Sequence, residues 1–307
     1  MAAPETTTAA APTDPGLASA SPGEAPTVAK KAKLGFGGWL ALAWLVAIVI
    51  MALFASFLPL EDPARSAFRP RLGMFSDGNI FGTDTNGRDV LARVVHGTRV
   101  SVLIGFASVS IGMVVGGALG LYAGYFRNRL ASTISWLFDI LLSFPAIVLA
   151  LSLVAVLAGG AESSDTQKNM VIILALGIVS VPLLGRITRG TTLTWSQREF
   201  VTAARSLGAK DLRIMVREVL PNVLPAMFSL ALLSVAVSIV AEGSLAVLGA
   251  GTNSVSWGSM IAGGRSDLQR IPHVVMVPSA FIFFTVLALN YLGDIARARF
   301  DVRESIL

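Results

Sequence analysis

Cysteine is absent from all 307 residues, which excludes disulfides and thiolate-held zinc or iron–sulfur sites. Histidine is nearly absent: His96 and His273 stand in distant segments, too little material for a histidine-based catalytic site. Charge is scarce, at 14% of residues where a soluble domain carries about 25%. So few charges cannot cover a globule of this size, which excludes a soluble protein. A hydrophobic share of 54% excludes disorder except locally. No GxxxxGK[ST], HExxH or GxSxG pattern occurs, so a phosphate loop and two common hydrolase signatures are missing. What remains is apolar sequence, with a mean hydropathy of +0.70. The chain reads as an integral membrane protein.

The net charge of +5 and pI near 10.0 could suggest nucleic acid. The basic residues are instead scattered through short connectors between apolar runs, the pattern that sets membrane topology, so no nucleic-acid partner is expected. Residues 1–33 open with Ala, Pro, Thr, Ser and Gly, which cannot bury enough apolar surface to fold. They are expected to be a disordered N-terminal tail without the basic-then-apolar layout of a secretory signal.

A spanning helix needs roughly 17–25 apolar residues, because the hydrocarbon core is about 30 Å thick. Stretches free of Asp, Glu, Lys and Arg at 34–60, 100–126, 140–161, 169–185, 219–241 and 271–293 predict six spans. The uncharged stretch 243–264 is rich in Gly, Ser, Thr and Asn and reads as a loop. Lys30, Lys31 and Lys33 before the first span place the N-terminus in the cytoplasm. Alternation then puts the 186–222 connector and the 298–307 tail inside, and the 61–98 segment outside. Fifteen of the 24 Lys and Arg fall on the inner side, although six Arg in 65–99 work against the bias.

Gly112, Gly116, Gly120 and Gly124 recur every fourth residue in the second span, a bare stripe that permits close approach of another helix. That contact is either between subunits or within the chain. Pro145 and Pro182 are expected to kink their helices.

The segment 196–222, SQREFVTAARSLGAKDLRIMVREVLPN, is the most ordered of the connectors. Ser196 and Glu199 have the spacing of a capping box. Phe200, Ala203, Ala204 and Leu207 fall on one helical face, and Gly208 stands where a helix ends in a left-handed residue. Leu212, Met215, Val216, Val219 and Leu220 mark a second helix, punctuated by Pro221. An apolar face beside a membrane either lies on lipid or docks a cytoplasmic protein. The residues alone do not choose.

This segment resembles the EAA loop of ABC-importer permeases, Glu-Ala-Ala, three residues, Gly, nine residues, a hydrophobic residue, any residue, Leu-Pro. The pattern falls on Thr202, Ala203, Ala204, Gly208, Glu218, Leu220 and Pro221, with Thr202 and Glu218 departing from it. The stretches FGTDTNGRDVLARVVHGTRVSVLIG (81–105), FDILLSFP (138–145), AEGSLAVLGAG (241–251), SWGSM (256–260) and NYLGD…FDVR (290–303) are similar to the C-type subunit of the dipeptide/oligopeptide/nickel permease family. The resemblance runs over about 34–303, with Asp301-Val302-Arg303 where the family ends Asp-Pro-Arg.

The resemblance implies an all-α integral membrane protein with six transmembrane helices in the type I ABC-importer permease fold. A permease core would cover 99–297, and 196–222 would be a cytoplasmic coupling-helix loop. It implies a transport subunit, not an enzyme, forming half of the pathway for di- or oligopeptides, or in relatives for nickel, glutathione or another small solute. The implied partners are a second permease subunit, two cytoplasmic ATPase subunits that bind ATP and Mg²⁺, and an extracytoplasmic substrate-binding protein. ATPase contact would fall on Glu199, Thr202, Ala203, Ala204, Gly208, Leu220 and Pro221.

Two carboxylates lie within apolar spans, Asp139 and Glu242, and burying charge there is costly. Each either touches the translocation pathway or is a structural pair; for Asp139, near a span end, pairing with Arg is favoured, and for Glu242 both readings stand. The 61–98 segment leads into an amphipathic approach to the second span, with Val90, Leu91, Val94 and Val95 on one side and Arg88, Asp89 and Arg93 on the other. It either receives the binding protein or braces the outer face. A secondary transporter would be expected to show inverted repeats or a pore filter, and neither is visible.

Overall fold

The computed structural model describes residues 35–158 and 164–304, with side chains described through residue 298. The expected tail at 1–33 and the end of the third apolar stretch lie outside the described residues. Among the described residues five helices are long and apolar enough to cross a membrane, and a bent pair, taken as one span, makes six.

Helix α1 (Phe36–Phe54) is apolar all round and packs along α11 (His273–Glu304), where Trp44 Nε1 donates to Thr285 Oγ1 at 3.1 Å. The second crossing starts ten residues before the apolar stretch at 100–126. Helix α2 (Val90–Ile111) begins where the Asp89 carboxylate accepts from the backbone N–H groups of Leu91 and Ala92, an acidic N-cap against the helix dipole. Counting charges hid this turn because Arg93 is buried, held by Pro63 O at 3.0 Å and Asp84 Oδ2 at 3.7 Å. The helix continues through a wide π turn at Gly112–Gly116 into α3 (Gly117–Tyr125).

The glycine stripe packs within the chain, against α6 (Asp165–Ser196). A Cβ on Gly116 or Gly120 would fall onto the carbonyl oxygens of Val181 or Gly185, and one on Gly124 would meet Arg189 O at 2.6 Å. The helix axes are therefore as close as backbones allow, which is how small residues replace hydrophobic drive in lipid.

The third crossing is broken. Helix α4 (Arg129–Ser143) and α5 (Ala146–Leu157) meet at 96° around Phe144 and Pro145. Pro145 lacks the N–H to continue α4, and it disfavours helical geometry at Phe144, which is extended at ψ 138°. The crossing also starts at Arg129, eleven residues before the stretch at 140–161, because polar residues occupy one side of α4.

Helix α6 opens on a capping box, Ser164 with Gln167, and runs uninterrupted through Pro182 to Ser196. The connector expected from 186 is thus mostly helix, its arginines lying beyond the apolar stretch. After α7 (Glu199–Ser206), α8 (Asp211–Ile214) passes through a second π turn, Met215–Val219, into α9 (Leu220–Val247). Pro221 does not end a helix: it stands in the first turn of α9, and Asn222 Nδ2 donates to the Glu218 carbonyl at 2.6 Å nearby. The stretch 243–264 is not a loop throughout, since α10 (Trp257–Gly264) forms on a capping box of Ser256 and Ser259. Helix α11 likewise carries the backbone of the expected C-terminal tail to Glu304.

Candidate functional site

The connector between α6 and α9 is a bent knuckle built on its own apolar cluster. Val201, Ile214, Met215 and Val219 are buried together with Leu121, Tyr125 and Trp195, while Phe200, Ala204 and Leu220 pack at the edge. The expected capping box is not formed. Ser196 closes α6 by donating to Leu193 O, and α7 starts after Arg198 with no side-chain cap. Glu199 is exposed in the first turn of α7 and does not reach back to Ser196. Arg198 covers the Trp195 ring at 5.5 Å instead.

Gly208 has φ +82°, the left-handed conformation that reverses the chain, and nothing lies within 4 Å of where its Cβ would be. The apolar faces expected from periodicity are split by this turn. Phe200, Ala204, Met215, Val219 and Leu220 face the chain's own cluster. Ala203 is exposed, and Leu207, Leu212 and Val216 are 88%, 65% and 46% exposed. Thr202 and Pro221 are exposed as well. Thr202, Ala203 and Gly208 thus lie on the open surface of the knuckle, whereas Ala204 and Leu220 hold it from beneath.

A second hold was not visible in the sequence. Tyr125, the last residue of α3, donates its hydroxyl to Asp211 Oδ1 at 2.9 Å, and Arg205 donates to the same oxygen at 3.2 Å. Arg205 also reaches Tyr125 Oη at 3.4 Å, and these contacts raise its pKa above the ordinary arginine value. The three groups come from α7, α8 and the second crossing. A separation of 86 residues between Tyr125 and Asp211 leaves no local signal.

The two intramembrane carboxylates have different surroundings. Asp139 on α4 pairs with Arg186 on α6 at 3.5 Å, both side chains being 63% exposed. Glu242 is fully buried on α9 and accepts from Ser256 Oγ at 2.7 Å. Trp257, at the head of α10, donates its backbone N–H to Ser101 Oγ and its indole N–H to Val94 O, each at 3.0 Å. Gly258 follows because a Cβ there would meet the Glu242 carboxylate at 2.9 Å. Helix α10 is therefore pinned to α2 and α9 at once. Neither carboxylate lines the apolar crevice of about 600 Å³ that opens at the α4–α5 bend, whose walls carry Phe144, Ser180, Val237 and Ser238.

The 61–89 segment folds around Asp84, which accepts from the backbone of Asn86 and Arg88 and from Arg88 Nε at 2.7 Å. Val90, Val94 and Val95 are buried as their spacing predicts, but Arg93 on the expected polar side is buried too.

Comparison with known proteins gives one consistent family. Residues 116–305 match the binding-protein-dependent transport system inner membrane component. A di/tripeptide transport system permease protein of Pseudomonas aeruginosa is 37% identical over 269 residues, covering 85% of this chain and 86% of its own. A glutathione transport system permease protein of Pectobacterium atrosepticum is 34% identical over 261 residues, covering 84% of each. Among solved structures, an inward-facing MetNI methionine ABC transporter chain superposes with a TM-score of 0.56 at 21% identity, covering 68% of this chain and 97% of its own.

Proposed function

The chain belongs to the binding-protein-dependent transport system inner membrane components as a multi-pass permease subunit of an ATP-driven importer, and from that premise we propose its cargo, its partners and how it is driven. The cargo is a di- or oligopeptide, a reading supported by peptide-transport relatives at 34–37% identity. Glutathione is the second reading, favoured by relatives named for it, and it is itself a tripeptide.

The partners are a second permease subunit, an extracytoplasmic binding protein and two ATPases that hold ATP and Mg²⁺. The knuckle faces the cytoplasm with both chain termini, and the 61–89 segment faces the opposite side. The observation that carries the coupling role is mechanical. The surface around Thr202, Ala203, Leu207, Gly208 and Leu212 is exposed, yet it sits on a folded core, and α8 continues without a break into the span that holds Glu242. A push on the knuckle is then transmitted along one rigid helix rather than absorbed by a slack loop. In this scheme Asp139 ties α4 to α6, Glu242 anchors α10, and the crevice at the α4–α5 bend faces the cargo.

The test is substrate-stimulated ATP hydrolysis and uptake by this chain reconstituted with the second permease subunit, both ATPases and the binding protein. Labelled dipeptides, longer peptides, glutathione and nickel chelates compete in turn. Uphill transport by this chain alone, without nucleotide-hydrolysing partners, would refute the proposal.

A further inference from the structure

The α3–α6 packing has a consequence at the knuckle end of the bundle. Because Gly124 lets α3 rest against the Arg189 carbonyl, α6 brings the Arg189 side chain beside the short turn from α3 to α4. Arg127 and Arg129 stand in and after that turn. All three arginines line one open cleft of about 1070 Å³, with Ser132 and Thr133 among its polar groups and Phe126 and Leu193 among its apolar ones.

The charge in this cleft is of one sign. Among the described residues no acidic side chain lines it and none of the three arginines forms an ion pair. Asp139, further along α4, is engaged by Arg186. Among the described residues Arg189 Nε is buried without a hydrogen-bond acceptor, and a buried donor in that state calls for one. The first turn of α4 opens into the same cleft, adding the positive end of a 15-residue helix.

The cleft also lies at the end of a long span. Arg127 and Arg129 follow directly on the end of the Val90–Tyr125 span. A 36-residue helix is about 54 Å long, more than a hydrocarbon core of about 30 Å requires, so the helix extends beyond the hydrocarbon. On α4, next to the cleft, Leu130, Trp136 and Leu137 are exposed, apolar surface of the kind that lipid chains and interfacial tryptophan occupy.

We propose that this cleft binds a phosphate-bearing anion, with the headgroup of a negatively charged membrane phospholipid as its source. Guanidinium groups match phosphate in geometry as well as charge, and basic pockets between spanning helices hold such headgroups. The bound phosphate would accept from Arg127, Arg129 and Arg189 and lock the α3–α4 turn against α6.

Native mass spectrometry of the delipidated transporter complex, titrated with phosphatidylglycerol, phosphatidylcholine or inorganic phosphate, tests this. The expected result is retained phosphatidylglycerol, no retained phosphatidylcholine, and at least a tenfold loss of phosphatidylglycerol affinity in the double variant Arg127→Gln, Arg129→Gln. Both positions are exposed, so folding should survive. The matched control Arg65→Gln, Arg69→Gln, at the other end of the second crossing, should stay within twofold of wild type. Binding of inorganic phosphate that the first variant loses, with none of phosphatidylglycerol, would keep the anion site and assign it a soluble source. Equal phosphatidylglycerol retention by the first variant and wild type, or equal losses in both variants, would overturn the proposal.

Discussion

Tyr125 donates its hydroxyl to Asp211 Oδ1 at 2.9 Å, so the last residue of the second crossing holds the first residue of α8. This bond, with Arg205 on the same oxygen, fixes the knuckle to a span other than the one it runs into. Tyr125→Phe removes the hydroxyl's bond to Asp211 and the longer one from Arg205 and leaves the ring packed, a loss of about 1–2 kcal/mol. Hydrogen exchange across 199–214 should quicken in the variant while exchange in α9 stays unchanged. Unaltered exchange in the knuckle would mean that the apolar cluster alone holds it.

Gly208 supplies the reversal between α7 and α8 at φ +82°. Any L-residue there is strained by roughly 1–2 kcal/mol, and a β-branched one by more. Space is not the problem, since nothing lies within 4 Å. Gly208→Val should therefore leave the protein in the membrane but abolish substrate-stimulated ATP hydrolysis. Gly208→Asn, which tolerates the left-handed region, should retain most of it. Normal stimulated hydrolysis in the valine variant would sink the coupling role.

Glu242 is buried with Ser256 as its hydrogen-bond donor. Glu242→Gln keeps the acceptor and the shape and should leave the unfolding midpoint of the purified protein nearly unchanged. Glu242→Leu strands the Ser256 hydroxyl and should cost about 1–3 kcal/mol. Equal midpoints for the two variants would show that the carboxylate does not anchor α10.

Gly120 and Gly190 offer a paired test of the helix stripe. A Cβ on Gly120 would strike the Gly185 carbonyl, whereas nothing lies within 4 Å of one on Gly190. Gly120→Val should cost more than the roughly 1–3 kcal/mol of ordinary overpacking, because backbone cannot yield as a side chain does. Folded, membrane-inserted protein should fall sharply for Gly120→Val and stay at wild-type level for Gly190→Ala. Comparable yields would argue that α3 and α6 are not in close contact.

The comparison of sequence with structure divides along a physical line. Apolar runs, the glycine stripe and the Gly208 turn were legible because each follows from local chemistry: hydrocarbon thickness, absence of Cβ, and tolerance of positive φ. Span ends were misplaced wherever a charge lay inside a helix, as with Arg93 and Arg186, since counting charges cannot see the partner that neutralises one. The capping box expected at Ser196 failed because Ser196 is the last residue of α6 and donates its hydroxyl to Leu193 O, while α7 starts only after Arg198; Ser256 and Ser259, read as loop, formed one.

Sequence by itself determined that this chain crosses a membrane several times, that a folded knuckle precedes α9, and that it belongs to a family of importer permease subunits. Only the tertiary structure decided what holds the knuckle, which half of its apolar surface is open, and that Glu242 meets Ser256 rather than the crevice. Those outcomes depend on contacts between residues far apart in the chain, such as Tyr125 with Asp211. Their energy exists only once the helices have packed, and no spacing along the sequence encodes it.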